Sequence, residues 1–133
     1  MNSKIGEILL RFDEPGGIRS VVLEDDGRVA YGYLLEGDVM VCDVWLYNVG
    51  QDPVTVDWRD KSAMPFQNPA KYCGGEVLGR LQADSRVDCS WSEDGVTILM
   101  NGMAFAYMEK GSKPGWSRAA RVDGPLARCL VVR

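Results

Sequence analysis

Histidine is absent from this chain of 133 residues. Its absence removes the commonest general base, the commonest metal ligand and the usual activator of serine and cysteine nucleophiles. Cysteine is sparse and scattered: Cys42, Cys73, Cys89 and Cys129 form no CxxC pair. Neither a zinc site nor a dithiol redox motif follows from that spacing, and the four read as reduced core thiols rather than a disulfide framework. Glycine is plentiful, at fifteen residues, yet no GxGxxG or GxxxxGK(S/T) spacing forms a phosphate-cradling loop. No apolar run approaches the ~18 residues that span a bilayer. The segment from Met1 to Glu7 lacks the apolar centre of a secretory leader. The expectation from these absences is a cytoplasmic, non-enzymatic protein with no cofactor, no metal ion and no membrane partner.

What the chain does contain is a repeated turn chemistry. Short alternating apolar runs are separated by Glu24-Asp25-Asp26-Gly27, Glu36-Gly37-Asp38, Glu93-Asp94-Gly95 and Asn101-Gly102. Asp-Gly and Asn-Gly tolerate the positive φ angles of tight hairpin turns. The runs between them predict strands at 5–12, 18–24, 28–35, 39–47, 86–92, 96–100 and 103–108. A last strand is expected at 127–132; 76–81 and the short edge segment 54–58 are candidate strands, and 116–122 reads as another strand or an irregular arm. The sequence Asn68-Pro69-Ala70-Lys71-Tyr72-Cys73-Gly74 predicts one short helical turn. Eight to ten strands without a long helix bury their apolar faces only by stacking or closing. The predicted fold is therefore mainly β, an antiparallel meander forming a sandwich or a partly open barrel in one domain spanning 1–133. The 39–47 run is apolar almost throughout, which predicts a central strand. Asp43 interrupts it, and a carboxylate there sits at a rim, pairs with an arginine or takes part in chemistry.

Charge is divided along the chain. Residues 1–60 hold twelve acids and five bases, net −7, whereas residues 61–133 hold seven acids and ten bases, net +3. Two readings are open. The halves neutralise each other across one domain, or the acidic half forms a face for a basic partner. Nucleic acid is not expected as a partner, because the basic tail has a single aromatic, Trp116, among its bases.

The irregular stretch 48–85 is where a rigid β-scaffold would carry function. Trp45, Tyr47, Trp58, Met64, Pro65, Phe66 and Tyr72 concentrate there and in the strand before it. Such residues fill cores and also anchor interfaces. Trp58, flanked by Asp57 and Arg59, is the expected anchor, with Asp57, Asp60, Glu24, Asp25 and Asp26 as a polar rim. Two other readings compete. A small-ligand module would line its cavity with Tyr31, Tyr33, Trp45 and Tyr107. A carboxylate-dependent hydrolase would use Asp43, Asp57 or Asp60.

The run Gly37-Asp38 through Asp43-Val44-Trp45-Leu46-Tyr47-Asn48, followed by Met64-Pro65-Phe66-Gln67-Asn68-Pro69, resembles a strand-and-loop pattern of small bacterial proteins akin to the immunity proteins of polymorphic and contact-dependent toxins. The resemblance covers roughly residues 20–72, about 40% of the chain. It implies a bacterial, cytoplasmic inhibitor that binds and blocks a cognate protein toxin. It implies no particular toxin activity, since immunity proteins occur on many folds.

Overall fold

The computed structural model describes residues 7–77, 79–81 and 86–130. The outer ends of the strands expected at 5–12 and 127–132, and position 78 of the one expected at 76–81, lie outside the described residues.

The chain begins as a four-stranded antiparallel meander. Its strands are β1 (Glu7–Asp13), β2 (Arg19–Asp26), β3 (Val29–Glu36) and β4 (Val39–Asn48), in the order β1-β2-β3-β4. Two single 3₁₀ turns, Lys61–Ala63 and Ala70–Tyr72, interrupt the long connection that follows. A second sheet then forms from β5 (Val87–Trp91), β6 (Gly95–Met100), β7 (Met103–Glu109), β8 (Trp116–Ser117) and β9 (Arg128–Cys129), again in chain order. All pairings are antiparallel except β8 with β9. The expected mainly-β architecture is observed as two sheets sharing one apolar core, with no closed barrel. No helix among the described residues is long and apolar enough to cross a membrane.

Alternation and register explain the core. Phe12, Val21, Leu34 and Cys42 stand opposite one another across the first sheet, as do Leu10, Leu23, Gly32 and Val44. Successive side chains point to opposite faces, so these rows build the inner face. The rows between them, Leu9-Glu24-Tyr31-Trp45 and Arg11-Val22-Tyr33-Asp43, make the outer face. Gly32 is packed between its own sheet and Met108 of the second. A Cβ there would meet Leu23 Cδ2 at 3.2 Å and both Met108 Cε and Val44 Cγ1 at 3.4 Å. At the β6–β7 hairpin both turn residues are left-handed, Asn101 with φ 53° and Gly102 with φ 81°, as an Asn-Gly turn requires.

Several expectations need correction. β4 is the last strand of its sheet, not a central one. It is apolar on both faces because the shared core covers one and the long connection covers the other, and its free edge is sealed by later chain. Trp45 N–H donates to Leu126 O at 3.0 Å, Gly115 N–H to Asp43 O at 2.8 Å and Ser117 Oγ–H to Leu46 O at 3.2 Å. β4 is thus the seam between the two sheets. Segment 54–58 forms no strand, and the described residues of 76–81 lie outside any strand. Of the arms expected at 116–122 and 127–132, the described residues form the two-residue strands β8 and β9, and Ala120 adds an isolated bridge to Cys73. The expected helical turn is found at Ala70–Tyr72 as 3₁₀; its N-cap is Pro69, which offers no side-chain oxygen.

A candidate protein-docking site

The long connection lies over the Tyr31–Trp45 end of the outer face, fastened at several points. Tyr31 donates its hydroxyl to Phe66 O at 2.7 Å. Arg28 reaches from the β2–β3 turn and donates to Ala63 O at 3.1 Å and to Pro65 O. Asn48 sits at the end of β4 and uses its whole amide. Its Oδ1 accepts from Trp45 Nε1 at 2.9 Å and from Asn68 N–H at 2.8 Å, while its Nδ2 donates to Asn68 O at 2.8 Å and Asp52 Oδ1 at 2.9 Å. Ala70 N–H closes the base of the loop on Pro53 O at 2.7 Å. A loop with this many backbone anchors has little conformational entropy left to lose on binding.

The loop presents apolar side chains to water in spite of those anchors. Trp58 is 45% exposed and stands edge-on to Phe66, with ring centroids 5.1 Å apart. Val54 is 84% exposed and Met64 57%. Trp58 and Val54 share a shallow cleft of about 180 Å³ with Pro69, Lys71 and Tyr72. Asp57 and Asp60, both exposed, flank the indole in sequence. Asp57 Oδ1 accepts from Arg59 N–H at 3.0 Å and Nε at 3.2 Å. Asp60 Oδ1 caps the first 3₁₀ turn, accepting from Ser62 N–H at 3.1 Å and Ser62 Oγ at 2.6 Å. Each carboxylate is held by its own local turn.

The acids of the β2–β3 turn divide three ways. Asp26 is half-buried and caps the turn through Arg28 N–H at 2.8 Å and Val29 N–H at 2.9 Å. Its other oxygen lies 3.9 Å from the same Arg28 that grips the loop. Arg28 therefore joins Asp26 to the Trp58 loop. Glu24 lies on the outer face between Leu9 and Tyr31. Asp25 is not a rim residue. It is fully buried on the inner face and held by Arg80 at 3.0 and 3.1 Å, by Tyr47 Oη–H at 2.6 Å and by Gly27 N–H at 2.8 Å. The same Tyr47 oxygen accepts from Leu81 N–H at 2.8 Å. This network ties residues 80–81 to the first sheet.

Of the residues expected to line a ligand cavity, Tyr31, Tyr33 and Trp45 share the outer face of the first sheet and Tyr107 lies in the second. Tyr31 and Tyr33 stack on the outer face at 6.1 Å, whereas Tyr107 packs on Trp116 in the second sheet. Trp45 lines a different cleft, of about 240 Å³, with Tyr47, Asn48, Asp52, Cys73 and Arg80 among its walls. Asp43 is half-buried opposite Tyr33. Burial pushes its carboxyl up, opposed by the charge of Lys113, and no arginine among the described residues pairs with it. All four cysteines are free thiols. Burial pushes Cys73 and Cys89 up to about 12, which favours the protonated thiol in both. Among the described residues no group of three carboxylates or thiols converges as metal ligands.

The two charged halves do meet. Lys110 pairs with Glu36 at 2.9 Å and Arg80 with Asp25, so basic residues of the second half neutralise acids of the first. Arg28, Val54 and Arg80 are the residues that sequence reasoning missed. No local motif marks the two arginines, because each acts on a chain segment 35 residues or more away. No family model, no curated protein and no solved structure matches this chain.

Proposed function

We propose that this protein is a non-enzymatic binding module that docks a protein partner on the loop 52–66. The observation that carries this reading is the exposure of Trp58, Val54 and Met64 on a loop tied to the sheet through Tyr31, Arg28 and Asn48. Large apolar side chains held rigidly in water are what interface anchors look like before they are covered. Asp57 and Asp60 flank the indole, with Arg59 and Lys61 beside them in the chain and Lys71 lining the same cleft; the two carboxylates favour basic groups on the partner. The finer reading is an immunity-type inhibitor that covers a cognate toxin in a bacterial cytoplasm. It rests on the strand-and-loop resemblance over 37–69 and on the net −7 of residues 1–60.

The test is affinity capture from lysate of the native host at low and high salt, with the wild-type chain and with Trp58→Ala/Asp60→Ala. The expected outcome is one stoichiometric basic protein, retained by wild type, weakened by salt and lost from the double variant while its circular dichroism is unchanged. A partner retained equally by the double variant would overturn the site. A small molecule retained in place of any protein would overturn the function.

A further inference from the structure

β1 ends the first sheet, and no strand among the described residues pairs with its outer edge. The opposite edge, β4, is sealed by Gly115 and Leu126. Free edges are usually blunted by proline, lysine, a bulge or very short length. β1 carries charges at Glu7, Arg11 and Asp13 but no proline, lysine or bulge, and it runs seven residues, Glu-Ile-Leu-Leu-Arg-Phe-Asp, in unbroken register with β2. Its core-facing Ile8, Leu10 and Phe12 are only half-buried, and Leu9 on the other face is 67% exposed.

We propose that β1 pairs with β1 of a second copy, antiparallel about a two-fold axis at Leu9, joining two four-stranded sheets into one. In that register Leu9 faces Leu9, Ile8 faces Leu10, and Glu7 faces Arg11. Across residues 7–11 each pair is complementary: two apolar contacts on the core side, one exposed leucine covered by its twin, and an ion pair at each end. Opposite charges directly across a ladder stabilise it and like charges destabilise it. A two-fold axis at Leu10 would instead set Glu7 against Asp13. A slip by one residue would turn the apolar set of one copy toward the charged face of the other. The interface is isologous, so it closes at two copies and leaves no edge for a third. It lies on the strand farthest from β4 in the sheet order, and it does not depend on the docking reading of loop 52–66.

Charge exchange at the ends of the ladder tests this by sedimentation equilibrium on the full chain. Wild type is expected at twice the chain mass. Arg11→Glu sets Glu against Glu and is expected as monomer with native circular dichroism. Glu7→Arg/Arg11→Glu restores complementary ends and is expected as dimer again. A nitroxide on Leu9→Cys, compared with labelled wild type as the control for native thiols, is expected to broaden through its twin in the neighbouring copy. A wild-type monomer, a dimer that survives Arg11→Glu, or an unbroadened Leu9 label would each overturn the proposal.

Discussion

Two acidic clusters look alike along the chain and end in opposite environments. Glu24-Asp25-Asp26 precedes a hairpin glycine, while Asp57 and Asp60 flank Trp58-Arg59. Two residues of the first cluster are structural. Asp26 caps the turn, and Asp25 turns inward to take the Arg80 fork and the Tyr47 hydroxyl. The second stays in water beside an exposed indole. Backbone conformation makes the difference. A strand sends alternate residues to opposite faces, so Asp25 follows Val21 and Leu23 into the core. A loop fastened by its carbonyls has no such alternation and leaves its side chains outside. A carboxylate without a partner cannot remain in a core, so the inward aspartate also dictates where residues 80–81 must lie.

The largest expected effect is at the inner cluster. Arg80→Ala leaves the Asp25 carboxylate with Tyr47 and Gly27 as its remaining partners among the described residues. A buried pair broken on one side costs about 3–5 kcal/mol. Arg80 is 43% exposed, so water enters the gap and the lower end, about 3 kcal/mol, is expected in urea unfolding. A loss below about 1 kcal/mol would show that Asp25 is not held by this pair. The outer cluster should behave in the opposite way. Trp58→Ala is expected to cost under about 1 kcal/mol of stability, yet about 2 kcal/mol or more of partner affinity, read by titration calorimetry against the captured partner. Equal losses in both measurements would erase the distinction between the regions.

Asp26→Ala sharpens the comparison within the first cluster. It removes two turn hydrogen bonds and is expected to cost about 1 kcal/mol, less than the change at Arg80. A larger loss would make the turn, rather than the buried pair, the anchor of this end of the sheet.

The smallest effect is at Asp43, a third acid, on the outer row of β4. Burial raises its carboxyl pKa above the ordinary value. The folded state therefore holds the proton to higher pH than the unfolded state. Its contribution to stability is lost as pH rises from the ordinary aspartate range through the raised value. Asp43→Asn removes that loss. A modest rise in Tm at neutral pH is expected, shrinking as pH falls below the ordinary aspartate range. A lowered Tm at neutral pH would mean that the ionised carboxylate is the stabilising form.

Much of the fold was legible. The glycine-acid turns and alternating runs located β1 to β4 and β5 to β7, because hairpin turns and period-two burial are local properties. Asp25 was legible in principle too: it lies two residues beyond Leu23, in phase with the core. Its turn-like neighbours hid that phase. Trp58 was legible as exposed because charges flank it. The grip of Arg28 on Ala63 and Pro65 was not, nor was the pairing of Arg80 with Asp25, since each joins segments far apart in the chain.

β4 shows the same division. Its composition announced burial on both faces, and that was correct for Cys42, Val44, Trp45 and Leu46. Burial on both faces does not say what lies alongside, and the strand proved to be a sheet end sealed by Gly115 and Leu126. Local sequence determined where the chain alternates, where it turns and which residues need partners, because those follow from φ/ψ preference and side-chain period. Tertiary structure alone decided which partners they received. Edge coverage, ion pairs and loop docking depend on contacts between segments that carry no local mark of one another.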